Sequence, residues 1–179
     1  MQEIKNKKIY ENLYNSYNEV LKNYENQYRN SNDYYLCINN SKENFYNILL
    51  DFEQNAKVFK NNINELDIYE KMASIIIAIK YNPCIIIKNK IGIINYTFLN
   101  SSFAIDVALK TYEKELEEIC TIEEIFENEH LSYTKELLID IIESKNIEAQ
   151  DILESLKLEI NLIKNYNGLT KIKNKKLSI

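Results

Sequence analysis

The only histidine of the chain, His130, is the residue best suited to acid–base or metal chemistry. Glu127 lies three residues earlier, and in a helix this Glu-x-x-His spacing places both side chains on one face, as di-iron helical bundles require. Such sites also need a second motif of the same kind, and the chain has no second histidine. Glu127 and His130 are therefore a candidate site of low specificity, and the sequence predicts neither a metal nor another cofactor.

The sequence contains no recognisable motif for nucleophilic catalysis or for phosphate binding. Serine or cysteine catalysis would have to use His130, and no G-x-S-x-G motif accompanies it. The two glycines, Gly92 and Gly168, form neither a Walker-type loop nor a G-x-G-x-x-G loop. The sequence therefore favours a binding protein over an enzyme. The alternative is a helical enzyme whose site is assembled from scattered Glu, Tyr and Asn residues.

Tyrosines of the first predicted helix form the candidate face for a partner. Steps of three, four and seven residues place them on one side of a helix. Tyrosine is enriched at protein interfaces, but a helix at a chain terminus must also bury one face to stay ordered. The second interpretation, a seam in the protein's own core, is favoured over the first. The residues concerned are Tyr10, Tyr14, Tyr17, Tyr24 and Tyr28.

Charge and composition narrow the class of partner. The net charge is −5, and Arg29 is the single arginine, so binding to nucleic acid is not expected. Ile, Asn, Lys and Tyr have A/T-rich codons, and their abundance indicates a source genome of low G+C content. The most apolar stretch, Ser74 to Ile94, is interrupted by Lys80 and Pro83, which argues against a membrane span and favours a cytoplasmic protein.

The spacing of apolar residues predicts a mainly α-helical bundle of about six helices in a single domain over 1–168. Ser41 is predicted to cap the second helix, and Asp67 with Glu70 to form a capping box for the third, which is apolar nearly all round and therefore central. β-branched runs predict a small β-hairpin near 84–96. Residues 169–179 are predicted to be a frayed basic tail. The predicted helices cover 3–29, 42–60, 68–81, 100–120 and 121–129, and two more begin near Ser132 and Asn146.

One stretch of the chain has a family likeness, carried by Tyr69–Ala73, Asn82-Pro83 and Lys88–Gly92. It resembles the helix–loop–helix core of the Fic and Doc proteins, whose loop reads H-P-F-x-[D/E]-G-N-[G/K]-R. In that family the histidine is the base, the acidic residue holds the metal and the arginine binds nucleotide phosphate. In an ungapped alignment, Asn82, Ile86 and Lys90 take these three positions, and only Pro83 matches the motif outright. The resemblance implies a Fic/Doc-like fold that has lost its catalytic groups and transfers no nucleotide.

The sequence as a whole is typical of a small acidic protein that acts by stoichiometric binding to a protein partner. Immunity proteins, antitoxins and anti-defence proteins are examples of this class, because an acidic surface steers association toward basic partners. The partner is predicted to be another protein or a second copy of the chain. The helical enzyme and the degenerate Fic/Doc-like fold are the alternatives.

Overall fold

A computed structural model gives the structure, which describes residues 2–29, 34–38, 41–82, 85–89, 96–117, 131–144 and 148–162. In these residues the fold is mainly α-helical, as predicted. A 3-10 turn, Ile63–Glu65, connects the second and third helices. The elements in chain order are α1 (Gln2–Tyr28), β1 (Tyr34–Ile38), α2 (Lys42–Phe59), α3 (Ile68–Tyr81), β2 (Ile85–Asn89), α4 (Tyr96–Glu117), α5 (Leu131–Ser144) and α6 (149–162).

The starts of α2 and α3 are fixed by side-chain caps, as the sequence predicts. Ser41 Oγ accepts a hydrogen bond of 3.1 Å from the backbone N–H of Asn44. Asp67 Oδ1 accepts from the N–H of Glu70 at 2.8 Å, and Glu70 Oε2 accepts from the N–H of Asp67 at 2.9 Å. This reciprocal pair satisfies two backbone donors that a helix N-terminus otherwise leaves without a partner.

Helix α3 is the central helix of the fold, which confirms the prediction. Every residue from Met72 to Ile79 is buried, and the helix packs against both α2 and α4. It ends at Tyr81, directly before the Asn82-Pro83 pair, because proline disfavours helical geometry in the residue before it.

Helix α4 begins earlier than predicted. The cap assigned to Asn100 or Ser101 is wrong, because α4 starts at Tyr96 and both residues lie inside the helix. Both are buried, and Asn100 Oδ1 and Ser101 Oγ have no hydrogen-bond partner in the described part of the chain. Asn and Ser are common cap residues, but here both lie in the packed interior of the fold, inside the helix.

The hydrophobic core is continuous across the six described helices. Helix α4 contacts α1, α3 and α5, so it organises the packing on its side of α3. The Phe103 ring of α4 makes edge-to-face contacts with Tyr17 at 5.6 Å and Tyr24 at 5.4 Å between ring centroids. These aromatic contacts hold α1 against α4.

The two described strands pair with each other across a large sequence separation. β1 and β2 are antiparallel, with Tyr34 opposite Asn89 and Ile38 opposite Ile85. Of the hairpin predicted near 84–96, the first run forms the strand β2, which pairs with β1, and Tyr96 is corrected because it already belongs to α4. Residues 91–95 lie outside the described residues. Because β1 and β2 are far apart in sequence, no local turn signal marks their pairing. The sequence analysis instead predicted pairing with the β-branched run that follows β2.

The first residues of α5 and α6 also differ from the predicted ones. α5 begins at Leu131, and Glu148 is not helical, so α6 begins at residue 149 rather than near Asn146. The predicted helix over 121–129, the Glu127 and His130 pair, and the tail over 169–179 lie outside the described residues. No described helix combines the length and the apolar character needed to cross a membrane.

Candidate functional site

The structure divides the five candidate tyrosines between the core and the surface. Tyr17 and Tyr24 are buried, and Tyr10 and Tyr28 are partly buried. Tyr14 is 51% exposed, and its ring packs edge-on against Phe45 of α2 at 4.9 Å between centroids. As a group, these tyrosines line the seam between α1 and its neighbours, so Tyr14 is the one that offers a partner most of its side chain.

Two further apolar side chains are exposed on α2, the helix that Tyr14 contacts. Tyr46 is 60% exposed and Leu50 is 39% exposed, and the four-residue step between them places both on one face of α2. Phe45, next to Tyr46 in sequence, supports the Tyr14 ring from below. We refer to these three exposed side chains on neighbouring helices, Tyr14 of α1 and Tyr46 and Leu50 of α2, together as the α1–α2 patch.

The exposure of Tyr46 and Leu50 follows from the orientation of α2. The buried positions of this helix recur at steps of four and are Asn44, Ile48, Phe52 and Ala56. Tyr46 and Leu50 each lie two residues from Ile48, which turns them about 200° around the helix, away from the core. The sequence analysis missed both residues. The sequence did contain a signal for them. Tyr46 and Leu50 are apolar residues that lie outside the predicted apolar face of the second helix.

A series of hydrogen bonds joins α1, α4 and α5. The Tyr24 hydroxyl lies 2.8 Å from Ser102 Oγ and 2.9 Å from Asp106 Oδ2. Lys135 Nζ donates to the same Asp106 oxygen at 2.7 Å and forms an ion pair with it. A phenol has one proton and a carboxylate is the stronger acceptor, so Tyr24 donates to Asp106 and accepts from Ser102. Three helices are therefore connected through one polar network.

The electrostatics of this network suit a structural role. Burial, and then the negative charge of Asp106, raise the pKa of the Tyr24 phenol well above its ordinary value. The phenol therefore stays protonated at neutral pH, whereas a nucleophile or general base needs a lowered pKa or a neighbouring base. The Asp106 carboxylate also forms an ion pair of 2.7 Å with Lys135. The network stabilises helix packing and does not activate a reactive group.

The positions aligned with the Fic and Doc motif occupy different kinds of structure. Asn82 caps the end of α3, and its side-chain amide donates to the Ala78 carbonyl at 3.1 Å and to the Asp51 carboxylate. Ile86 lies on β2, a strand, where the motif would be a loop. Pro83 and Lys90 lie outside the described residues. Asn82 therefore has a structural partner on α2 that accounts for its side chain.

No other cluster in the described residues suggests a metal centre. Among the described residues, no group of three or more His, Cys, Asp or Glu side chains lies close enough together to hold a metal ion. The Glu127 and His130 pair falls in the segment between α4 and α5 that the structure does not describe. This candidate site stays a prediction.

Comparison with known proteins identifies no relative of this chain. No protein-family model, no curated protein and no solved structure matches it. The chemistry of the described surface is therefore the basis for a functional proposal, and the α1–α2 patch is one of its exposed apolar features.

Proposed function

We propose that this protein is a binding module that forms a stoichiometric complex with another protein through the α1–α2 patch. The observation that carries the proposal is the exposure of Tyr14, Tyr46 and Leu50 on two contacting helices. None of the three is needed to fill the core, which closes beneath them through Leu13, Tyr17 and Ile48.

The residue types of the α1–α2 patch are typical of surfaces that bind other proteins. Tyrosine combines a large apolar ring with a polar tip, and it is among the residues that most often dominate interface energies. Leu50 adds aliphatic area on the same helix face as Tyr46, and the ring of Tyr14 packs edge-on against Phe45. A tyrosine side chain has few rotatable bonds, so it loses little conformational freedom on binding, which favours affinity.

The net charge of the chain indicates that its protein partner is basic. The chain carries a net charge of −5, so long-range attraction raises the association rate with basic proteins and suppresses binding to acidic ones. Immunity proteins, antitoxins and anti-defence proteins are examples of small proteins that act by binding another protein, and an acidic surface suits those with basic partners. We propose that the protein belongs to this functional class.

Affinity capture in the native host tests the proposal with two matched double variants. Tyr46→Ala with Leu50→Ala removes one tyrosine and one aliphatic residue from the patch. Tyr81→Ala with Val58→Ala removes the same types from other exposed positions, which are 66% and 58% exposed. We expect one protein to be recovered at equal molar amount with the wild type and with the control, and about tenfold less with the patch variant.

Equal recovery with all three proteins, or no stoichiometric partner at all, would count against the proposal. The mass of the purified protein decides whether the partner is a second copy. A mass twice that of the 21.3 kDa chain, reduced to the monomer by the patch variant alone, would assign the patch to self-association.

A further inference from the structure

Helix α6 has a second exposed face with a different composition. Asp151, Glu154, Leu158 and Leu162 follow one another at steps of three, four and four residues, which places them on one side of the helix. The opposite side holds buried residues such as Leu156 and Ile160. Leu158 is 59% exposed and Leu162 is 53% exposed. We call these four residues the acidic–leucine face.

Within the described residues, the lysines of α5 and α6 form their ion pairs with other helices and not with the acidic–leucine face. The lysine of α5, Lys135, is engaged by Asp106 of α4 at 2.7 Å. The lysine in the described part of α6, Lys157, lies 3.8 Å from Asp67, the cap of α3. Both cations are therefore held by carboxylates of other elements, and neither forms an ion pair with Asp151 or Glu154.

Helix α5 also carries exposed carboxylates. Its outward residues Glu136, Asp140 and Glu143 recur at steps of four and three, opposite the buried Leu138 and Ile142. All three carboxylates are exposed, and none of them forms an ion pair with another described residue. The described parts of α5 and α6 thus both carry exposed carboxylates, whereas their lysines, Lys135 and Lys157, pair with carboxylates of α4 and of the α3 cap.

The acidic–leucine face is separate from the α1–α2 patch. The ion pair between Lys157 and Asp67 places α6 beside the start of α3, and therefore near the end of α2 at Phe59. The patch lies toward the other end of α2, where Leu50 is nine residues from Phe59, or about 14 Å along the helix axis. The two surfaces therefore consist of different residues on different helices, so each can be changed by substitution without altering the other.

We propose that the acidic–leucine face binds a cationic amphipathic helix of a protein partner. The two leucines would contact the apolar side of that helix, and Asp151 and Glu154 would pair with its lysines or arginines. Charge complementarity selects this occupant, because nucleic acids and anionic membranes would be repelled by the same carboxylates. Helix-in-groove recognition uses the same combination of apolar anchors and surrounding charge.

The probe for this proposal is a fluorescent synthetic peptide of leucine and lysine arranged as an amphipathic helix, titrated into the full chain. We expect Asp151→Asn with Glu154→Gln to weaken binding about tenfold and to reduce its dependence on salt. Leu158→Ala with Leu162→Ala should weaken binding by a similar factor and leave the salt dependence unchanged. Glu25→Gln with Glu43→Gln, an equal change of charge at exposed positions of α1 and α2, is the matched control and should bind like the wild type.

Three outcomes would overturn the proposal. The first is no binding of the peptide to the full chain, and the second is an equal loss with the control variant, which would indicate non-specific attraction to an acidic protein. The third is binding that occurs only after residues 169–179 are removed, which would assign the face to the chain's own lysine-rich end. Each variant lies outside the α1–α2 patch, so its effect is independent of the proposed function.

Discussion

Tyr24 is the residue whose surroundings explain most about how the described helices are held together. Its hydroxyl bridges Ser102 and Asp106 of α4, and Asp106 in turn binds Lys135 of α5. A buried phenol of this kind must find partners, because a buried polar group without one destabilises the folded state. The same side chain supplies an apolar ring to Phe103, so it serves the core and the polar network together.

The substitution Tyr24→Phe tests the polar network at the scale of one residue. We expect it to lower the free energy of unfolding by about 1 to 3 kcal/mol, because Ser102 and Asp106 lose a hydrogen-bond partner while the ring remains. Urea denaturation at neutral pH measures the change. The control is Tyr46→Phe, an exposed phenol whose loss should change stability by less than about 0.5 kcal/mol.

The pH dependence of the same comparison follows from the raised pKa of Tyr24. Its ordinary value is 10.0, and the folded-state pKa lies above this. The stabilisation by Tyr24 is therefore complete below about pH 10 and decreases as the unfolded chain ionises above that pH. We expect the stability difference between wild type and Tyr24→Phe to be constant at neutral pH and to shrink in alkali. A difference that stays unchanged, or grows, would contradict the burial and partners assigned to this phenol.

At the scale of elements, the start of α3 is connected to several other parts of the chain. Besides the reciprocal bonds between Asp67 and Glu70, Lys60 of the preceding connection pairs with Glu70 at 3.1 Å. Lys157 of α6 approaches Asp67 at 3.8 Å. The capping box therefore also links the central helix to α6 and to the end of α2.

Substitutions of Asp67 separate capping from charge. We expect Asp67→Ala to lower the free energy of unfolding by about 1 kcal/mol, because the N–H of Glu70 loses its acceptor. Asp67→Asn keeps a good cap and loses only the charge, so its effect should be clearly smaller. Thermal unfolding of the two variants, compared with the wild type, measures both effects. Equal losses in the two variants would assign the stabilisation to the ion pair with Lys157 instead.

The elements that the sequence predicted correctly are those encoded by local patterns. The caps Ser41 and Asp67 and the run from Met72 to Ile79 are all specified within a few residues of chain. The start of α4 could not be read in this way, because Asn100 and Ser101 have the local character of caps and are buried by distant packing. The pairing of β1 with β2 joins segments about fifty residues apart, and no local rule contains that information.

The candidate binding surfaces were only partly predictable for a related reason. Helical spacing placed Tyr14 and Tyr17 on one face, but burial depends on where Phe45 and Phe103 lie, and those contacts connect distant helices. Apolar residues such as Tyr46 and Leu158 can be predicted to be exposed only when the buried face of their helix is known. An apolar residue opposite a confidently assigned core face is the sequence signal that would have identified them.

At the scale of the whole molecule, apolar and acidic features are distributed over different regions of the surface. The α1–α2 patch offers tyrosine and leucine, whereas α5 and α6 carry outward carboxylates with leucines at the end of α6. The interior polar groups Tyr24, Asp106 and Lys135 serve helix packing. The two surfaces that we propose as binding sites therefore lie in different described parts of the molecule, and both are distinct from the interior polar network.

Photocrosslinking in living host cells is the most direct test of the central claim that the α1–α2 patch contacts another protein. A photoreactive phenylalanine analogue replaces Tyr46 in one strain and Val58, an equally exposed residue of the same helix, in another. We predict one discrete adduct with a different protein from position 46 and none from position 58. No adduct from position 46, or the same adducts from both positions, would contradict the assignment of this surface as the binding site.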